Sequence, residues 1–322
     1  MTDVYTKWKN TVSVEDGIFQ ISADRKFTHD ESEYGADMDF SEMKHGNGVI
    51  NLMTSLNCDF HGPAIEIGAG NGLISVSLAE SHRFSDLLIT DASSSFVKIC
   101  RANIDKFSKS QNNVSYGVFN GDDLSALPDD SFSLICMANA LHHIEFFEDF
   151  VMLAAKKLKT SGAFICQEPI SDGFLMLGVI AKAYLLFSKQ LSQELVEKLE
   201  ELALTMSNSN RRDMSKSHLE DKHIFNIYEL QQIASKANMK LHVFPSVSLD
   251  TLAGGIKESK NKQEKFSELC KGYIQYCLNW KQELKNEMFS KFDPLLNFID
   301  TACGGAYYPP VTGVFCMIKE KG

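Results

Sequence analysis

Short apolar runs alternate with amphipathic stretches over residues 46–170 of this 322-residue chain. Each run is long enough for a buried strand, and the stretches between them carry apolar side chains at helical spacing, as Leu73, Val76 and Leu78 do. This alternation predicts a doubly wound α/β fold, in which helices cover both faces of a mostly parallel sheet. Seven runs predict a seven-stranded sheet: 64–67, 86–91, 114–119, 132–137, 162–168, 241–245 and 314–318.

The segments outside this pattern predict additions to the sheet. Residues 1–45 are polar with scattered aromatic side chains, and we interpret them as an N-terminal cap before a core at 46–170. Leucines recur at spacings of three and four within residues 171–225, which predicts a first helical insertion. Residues 226–322 are expected to complete the core, with a second helical insertion at about 255–300.

The first strand of the alternating region runs into a turn with glycine at every second position, namely Gly68, Gly70 and Gly72. Glycine has no Cβ atom to keep a ligand from the backbone, and the N–H groups of a following helix can meet an anionic group. A dinucleotide and S-adenosylmethionine (SAM) are both candidate ligands for such a turn. The dinucleotide fingerprint needs its third glycine where Leu73 stands, and the carboxylate of Glu66 suits an ammonium group but repels a pyrophosphate. These residues therefore favour SAM.

Polar residues also follow the later strands of the region. Asp91 ends the strand after the glycine turn, near the spacing at which an acid reaches ribose hydroxyls in such folds. Gly-Asp-Asp at 121–123 follows the next strand, Asn-Ala-Leu-His-His at 139–143 the one after, and Glu168 ends the fifth. Because sheets of this kind bind ligands beyond the carboxyl ends of their strands, we expect one crevice to collect these motifs.

The five motifs, in this order, resemble the class I, Rossmann-like superfamily of SAM-dependent methyltransferases, and its small-molecule methyltransferases in particular. The resemblance covers about residues 48–170 and returns more faintly at 226–249 and 311–320. It implies SAM as the cofactor, S-adenosylhomocysteine as the product, and Asp122 as the acid that faces the adenine amino group. A buried acid at a strand end is costly unless it is paired, and the methionine ammonium of SAM would pair Glu66. The cofactor-binding residues expected in this way are Glu66, Gly68, Ala69, Gly70, Gly72, Asp91, Ala92, Gly121, Asp122, Asp123 and Asn139.

A histidine pair follows the fourth strand, where the acceptor pocket of the resembled family usually opens. Some sugar and small-molecule O-methyltransferases carry a similar Leu-His-His sequence, in which a histidine acts as base and a carboxylate assists. The resemblance implies His143 as the general base, with His142 as the second choice and Glu168 orienting the imidazole or binding the acceptor. The alternative is that the histidine only packs beneath the cofactor. Five other histidines are isolated in the sequence, and we expect them to have surface or core roles: His61, His82, His218, His223 and His242.

Charge, cysteine content and hydropathy narrow the partners. The net charge is −10 and long basic clusters are missing, so nucleic acid is not an expected substrate. The eight cysteines form no C-x-x-C pair and nothing has the spacing of a zinc site, so no metal is expected. The N-terminus is polar, and the longest apolar stretch, 174–187, contains Lys182 and is too short to span a bilayer. We therefore expect no membrane contact and a cytoplasmic protein.

Together these observations predict a SAM-dependent methyltransferase that acts on a small-molecule acceptor at oxygen. Hydroxylated natural products, sugars and phenols fit this expectation and suggest natural product biosynthesis. The alternatives that stay open are methylation of nitrogen, sulfur or carboxylate groups and methylation of peptides or proteins. A module that binds SAM without turnover is a further alternative. Leu73, in place of the third glycine, disfavours a nicotinamide oxidoreductase. In the resembled family, insertions at these two points roof the substrate pocket; here an oligomer interface, such as that of a homodimer, is the alternative.

Overall fold

The computed structural model describes residues 3–25, 40, 44–108, 113–188, 190–209, 215–217, 219, 221–259, 265–276, 278, 280–303 and 308–321. Much of the expected N-terminal cap lies outside the described residues, and so do His218 and Cys277.

The described residues contain one sheet of nine strands in the order β1-β2-β5-β4-β3-β6-β7-β9-β8. The strands are β1 Val14–Glu15, β2 Ile18–Gln20, β3 Ala64–Ile67, β4 Leu87–Asp91, β5 Val114–Val118, β6 Phe132–Ala138, β7 Leu158–Pro169, β8 Met239–Pro245 and β9 Thr312–Lys319. The six strands β2, β5, β4, β3, β6 and β7 pair in parallel with one another, whereas β1 runs antiparallel to β2, and β9 runs antiparallel to both β7 and β8. A mostly parallel α/β sheet is thus confirmed.

The predicted count of seven strands is too low, because a hairpin in the N-terminal segment adds β1 and β2 to one edge of the sheet. Its strands have two and three residues, too few to show an alternating pattern. The Asp16-Gly17 turn between them has φ angles of +50° and +77°, and Asp-Gly is a typical hairpin turn. After the hairpin the chain reaches the carboxyl end of β4, where the N–H of Arg25 donates a 2.9 Å hydrogen bond to the carbonyl of Ala92.

Helices cover both faces of the sheet. They are α1 Val4–Lys9, α2 His45–Ser55, α3 Ser75–Glu80, α4 Ser94–Phe107, α5 Phe147–Lys157, α6 Ser171–Phe187, α7 Gln193–Ser209, α8 Ile227–Lys236, α9 Leu249–Leu252, α10 Ile256–Ser259, α11 Phe266–Tyr276 and α12 Gln282–Cys303. Successive strand residues face opposite layers: Ala64 packs with the side chains of α2 to α4, and Ile65 packs with those of α5 and α8. Among the described residues, every helix is too short or too polar to cross a membrane.

A third hydrophobic cluster lies outside these two layers and belongs to the insertions. Helices α6, α7, α11 and α12 contribute its buried side chains, among them Leu177, Leu199, Phe266 and Phe292. The predicted helical stripe packs into it: Leu195, Leu199 and Leu202 are buried, and Leu191 is half-buried. The insertions therefore bury apolar side chains against one another.

Candidate active site

The turn after β3 borders a cavity of about 580 Å³ at the carboxyl ends of the parallel strands. Gly70 has a φ of +52°, and a Cβ atom built on it would meet nothing within 4 Å, so its backbone faces open space. Gly68 has a φ of +74°, and its Cβ would stand 2.6 Å from the Cβ of Ala140, so glycine lets the turns after β3 and β6 approach each other. The next helix begins at Ser75, later than the glycine spacing predicts, because Gly72 has a φ of +100°, which is not helical.

Glu66 is buried at the end of β3 and lines the cavity. Its Oε2 accepts a 2.6 Å hydrogen bond from the hydroxyl of Ser75. Burial raises the pKa of Glu66 to about 8, and the neighbouring carboxylate of Asp91 acts in the same direction. A buried carboxyl with a raised pKa is suited to a ligand that brings a positive charge, and the ammonium of SAM meets that requirement.

Asp91 ends β4, and two backbone N–H groups hold its carboxylate in place. The N–H of Gly70 donates to Oδ2 at 2.9 Å and that of Ser93 donates to Oδ1 at 3.0 Å. Asp91 and Ala92 both line the cavity, as expected from the sequence. The acid is thus oriented by the glycine turn, and a ligand at the turn lies within reach of both.

The three residues expected after β5 lie outside the lining of the cavity. Asp123 is exposed and accepts hydrogen bonds from the N–H and hydroxyl of Ser125, at 2.8 and 2.6 Å, so its carboxylate closes a local turn. Gly121 is buried against Ile67, and Asp122 is exposed. Phe119 and Asn120, which the sequence reasoning passed over, border the cavity here instead. The cavity lining at this edge thus ends one residue before Gly121.

Gly72 also stands apart from the cavity lining, since its α-carbon faces the side chain of Cys100. Asn139 borders the cavity with a φ of +51°, and its N–H donates to the carbonyl of Gln167 at 2.8 Å. Seven of the expected cofactor residues thus border the cavity: Glu66, Gly68, Ala69, Gly70, Asp91, Ala92 and Asn139.

Glu168, at the end of β7, is fully buried and holds the Leu-His-His turn. Its Oε1 accepts hydrogen bonds from the N–H groups of Ala140 and Leu141, at 3.0 and 2.7 Å. Its Oε2 lies 2.7 Å from Nδ1 of His142. Glu168 does not line the cavity, so its position suits orienting an imidazole, that of His142, and does not suit binding an acceptor.

The two histidines differ in what they face. His142 stands between Glu168 and Asp221, whose Oδ1 lies 3.3 Å from His142 Nε2. Burial by itself would lower the pKa of His142, but the two carboxylates outweigh it and raise the pKa to about 10. His143 lines the cavity, and its Nδ1 lies 3.6 Å from the same Oδ1 of Asp221. His143 is therefore the histidine that a ligand can reach.

Asp221 belongs to the first insertion, and sequence reasoning missed it. It lies in a polar stretch far along the chain from the histidines, and nothing in its neighbours marks it. The backbone next to it is tied down, since the N–H of Lys222 donates to the carbonyl of His142 at 2.9 Å. Only the fold brings this carboxylate to the histidine pair.

Residues next to Asp221 in the first insertion form the roof of the cavity. Its members Ser217, Leu219 and Lys222 line the cavity together with Arg25. Burial and the nearby Arg25 guanidinium lower the pKa of Lys222. None of the described residues of the second insertion, about 255–300, lines this cavity.

The comparison with known families finds a match to the methyltransferase domain over residues 65–166, which spans the glycine turn and β7 up to Cys166. The comparison with curated proteins finds no match.

Several solved structures are similar to this chain. The YcgJ protein from Bacillus subtilis is 15% identical, with 86% of this chain and 99% of that chain covered and a TM-score of 0.44. Phosphoethanolamine N-methyltransferase 2 from Haemonchus contortus, in complex with phosphomonomethylethanolamine and S-adenosylhomocysteine, is 12% identical, covers 85% of this chain and 52% of that chain, and has a TM-score of 0.47. The SAM complex of the same enzyme is 12% identical, with 92% of this chain and 61% of that chain covered and a TM-score of 0.46.

The matched domain contains the residues that the geometry gathers around the cavity from β3, β4 and β6. Glu66 and the turn at Gly70 fit the amino-acid end of SAM, and Asp91 fits its ribose. The chain therefore contains a SAM-dependent methyltransferase domain over residues 65–166, and SAM is the cofactor that such a domain uses.

Proposed function

We propose that this enzyme methylates an oxygen atom of a small-molecule acceptor, with His143 as the general base. The observation that carries the proposal is that His143 borders the same cavity as Glu66, Gly70 and Asp91. A base on the cavity wall can take the proton that a hydroxyl group loses as it is methylated. His142 suits this task less well, because both of its ring nitrogens face carboxylates.

When bound, SAM would supply a methyl group on a sulfonium, and transfer of that methyl group to the acceptor oxygen would leave the electron pair of the carbon–sulfur bond on sulfur. The chain's residues hold the reactants and move the proton. Glu66 and the turn at Gly70 hold the cofactor's charged end, and Asp91 holds its sugar. His143 takes the acceptor's hydroxyl proton, so the positive charge ends on the imidazole. Positioning of this kind supplies much of the acceleration in a two-reactant step.

The size of the cavity supports a small acceptor. A volume of about 580 Å³ lies within the range of small-molecule and cofactor sites, and the cofactor itself takes part of it. The walls include the apolar side chains of Met137, Ile144 and Leu219. Hydroxylated natural products, sugars and phenols remain the classes we propose, together with a role in natural product biosynthesis. The net charge of −10 supports an acceptor other than nucleic acid.

The roof residues Ser217, Leu219 and Lys222 are the part of the first insertion that we assign as a lid. Its backbone is tied to the histidine turn, and its side chains border the cavity. For the helices of the insertions we propose a homodimer interface, since Val179, Leu186 and Phe187 on α6 are exposed apolar side chains. Sedimentation velocity tests this: Leu186→Glu with Phe187→Glu should yield monomers, whereas Val14→Glu, an exposed site on the hairpin, should leave the dimer intact. A wild-type monomer contradicts the interface.

We also propose a cytoplasmic location, which the free thiols of the described cysteines support, because reducing compartments keep cysteines unpaired.

The decisive experiment for the function offers SAM together with a panel of hydroxylated, amino and thiol acceptors. S-adenosylhomocysteine release and the mass and fragmentation of the product identify the methylated atom. We expect methyl transfer to oxygen, and we expect Gly70→Val to remove it. Transfer to nitrogen, to sulfur or to a peptide would contradict the proposed acceptor while leaving the methyltransferase assignment in place.

A further inference from the structure

We propose that His142, His143 and Asp221 form a binding site for a divalent transition-metal ion, and that the bound ion inhibits methyl transfer. The three side chains each offer one ligand atom, and these atoms all lie within 4.8 Å of one another. The inhibitory role rests on the proposed function of His143 as a base, whereas binding of the ion does not.

The distances between the ligand atoms suit a metal ion. Oδ1 of Asp221 lies 3.3 Å from His142 Nε2 and 3.6 Å from His143 Nδ1. Ligands at about 2.0–2.1 Å from a tetrahedral zinc ion stand about 3.3–3.4 Å apart. The 3.6 Å separation is too long for a hydrogen bond, but small side-chain movements bring it to the metal value.

The environment of His142 is that of a metal-binding histidine. Such histidines almost always donate their second ring N–H to a carboxylate or carbonyl, which fixes the tautomer and the direction of the ring. Here Oε2 of the fully buried Glu168 lies 2.7 Å from Nδ1. Because the two carboxylates favour the doubly protonated ring, a bound ion has to displace the Nε2 proton; the ring then donates from Nδ1 and presents the lone pair of Nε2 towards Asp221. Glu168 thus supports the ligand while the N–H groups of Ala140 and Leu141 hold Glu168 itself.

The surroundings let an ion enter the site. They also leave one coordination position of the ion open. The side chain of Asp221 is 51% exposed and that of His142 only 12%, so the ion would approach from the side of Asp221. His143 lines the cavity, so a fourth position next to it can take water. Two imidazoles and one carboxylate favour a borderline ion such as Zn²⁺ over Mg²⁺ or Ca²⁺, which prefer oxygen ligands.

Coordination and base catalysis exclude each other at His143. A neutral imidazole has one lone pair on nitrogen, and a metal at Nδ1 occupies it while Nε2 carries the ring proton. The ring then has no site for the acceptor's proton. Zn²⁺ therefore competes with the proton transfer that the proposed reaction needs. The sequence predicts no metal because the ligands come from two distant segments without metal-ligand spacing.

Titration calorimetry of the full chain with Zn²⁺, after treatment with a chelator, tests the site. We expect one ion per chain in the wild type and at least tenfold weaker binding in Asp221→Asn and in His143→Ala. His61→Ala removes an exposed histidine elsewhere and should bind as the wild type does. Because the described cysteines are free thiols, Co²⁺ is the second probe: ligand-field absorption without a thiolate charge-transfer band supports the site. Equal affinities in all four proteins, thiolate absorption, or no bound ion would overturn it.

The inhibitory role has its own test, once an acceptor is known. Zn²⁺ should lower turnover of the wild type, and the concentration for half inhibition should rise at least tenfold in Asp221→Asn, relative to its own uninhibited rate. Stoichiometric binding without inhibition, or with a higher turnover, would overturn the inhibitory role. If His143→Ala turns over as fast as the wild type, the proposed base fails while the calorimetric result still decides the metal site.

Discussion

The backbone N–H of Gly70 donates a 2.9 Å hydrogen bond to Oδ2 of Asp91. This bond joins two motifs that the sequence presents separately, a glycine turn after one strand and an acid at the end of the next. Because Ser93 donates to the other carboxylate oxygen, the acid has little freedom to rotate. A ligand that binds at the turn would thus meet a preformed surface.

Replacing Gly70 with valine should weaken SAM binding by at least tenfold, with a modest loss of stability. The side chain would project into open space in the cavity, and the positive φ of 52° adds strain of about 1–2 kcal/mol. Calorimetry should show affinity reduced by about tenfold or more, which is about 1.4 kcal/mol. Gly255→Val is the matched control: Gly255 also has a positive φ and open space around its Cβ position, but it lies outside the cavity lining. Similar SAM affinity in both variants would contradict the role of Gly70.

The pKa of Glu66, raised to about 8 by burial, predicts that SAM binding releases protons. The free protein holds a proton on Glu66 at pH 7, whereas the cofactor's ammonium favours the carboxylate. Affinity should therefore increase from pH 6 to about 8, and calorimetry in buffers of different ionisation enthalpy should report the released proton. Glu66→Gln has no carboxyl group to titrate and should lose this dependence. An unchanged pH profile in that variant would assign the proton to another group.

The same shift predicts how the stability of the free protein depends on pH. A carboxyl whose pKa is raised in the folded state binds a proton more tightly there than in the unfolded chain. Its contribution to the free energy of unfolding is therefore greatest below pH 4.5 and is lost as the pH rises to about 8. Glu66→Gln should lack this loss, so the difference between the melting temperatures of wild type and variant should widen over that range. A constant difference would contradict the raised pKa.

Sequence reasoning predicted the position of residues that lie at the ends of parallel strands, while their roles towards the cofactor stay predictions. Glu66, Asp91 and Asn139 sit at strand ends, and parallel strands bring such ends together whatever the details of packing. It did not predict positions that a short-range contact determines. The Asp123 carboxylate bonds Ser125 two residues away, so it turns from the cavity. The hairpin that adds β1 and β2 was missed because strands of two and three residues show no periodicity.

Asp221 shows a different limit. Its carboxylate reaches the histidines only because the first insertion folds back over the cavity, and no local pattern encodes that contact. The helical stripe of Leu195, Leu199 and Leu202 was visible because a period of 3.6 is a local property. The contact between Asp221, at the polar end of the insertion, and the two histidines depends on the tertiary structure.

Replacing Glu168 with alanine should destabilise the fold strongly. The change leaves the N–H groups of Ala140 and Leu141 without their acceptor and removes the buried partner of His142. Breaking a buried charged pair from one side costs about 3–5 kcal/mol. Chemical denaturation should show a loss of this order for Glu168→Ala. Glu168→Gln keeps an oxygen for the two N–H groups, so it should lose less; equal losses would mean that these two bonds contribute little.

Replacing His143 with alanine should lower turnover on the true acceptor by about 10² or more, the usual scale for a lost general base. The affinity for SAM should change little, since His143 is not among the residues assigned to the cofactor, and His61→Ala should be as active as the wild type. Assays with a chelator present keep Zn²⁺ from confusing the comparison. Imidazole added to the alanine variant can occupy the space of the missing ring and accept the proton, so it should restore part of the rate. Full activity without imidazole would remove the base assignment, and a lost affinity for SAM would show that His143 packs beneath the cofactor instead.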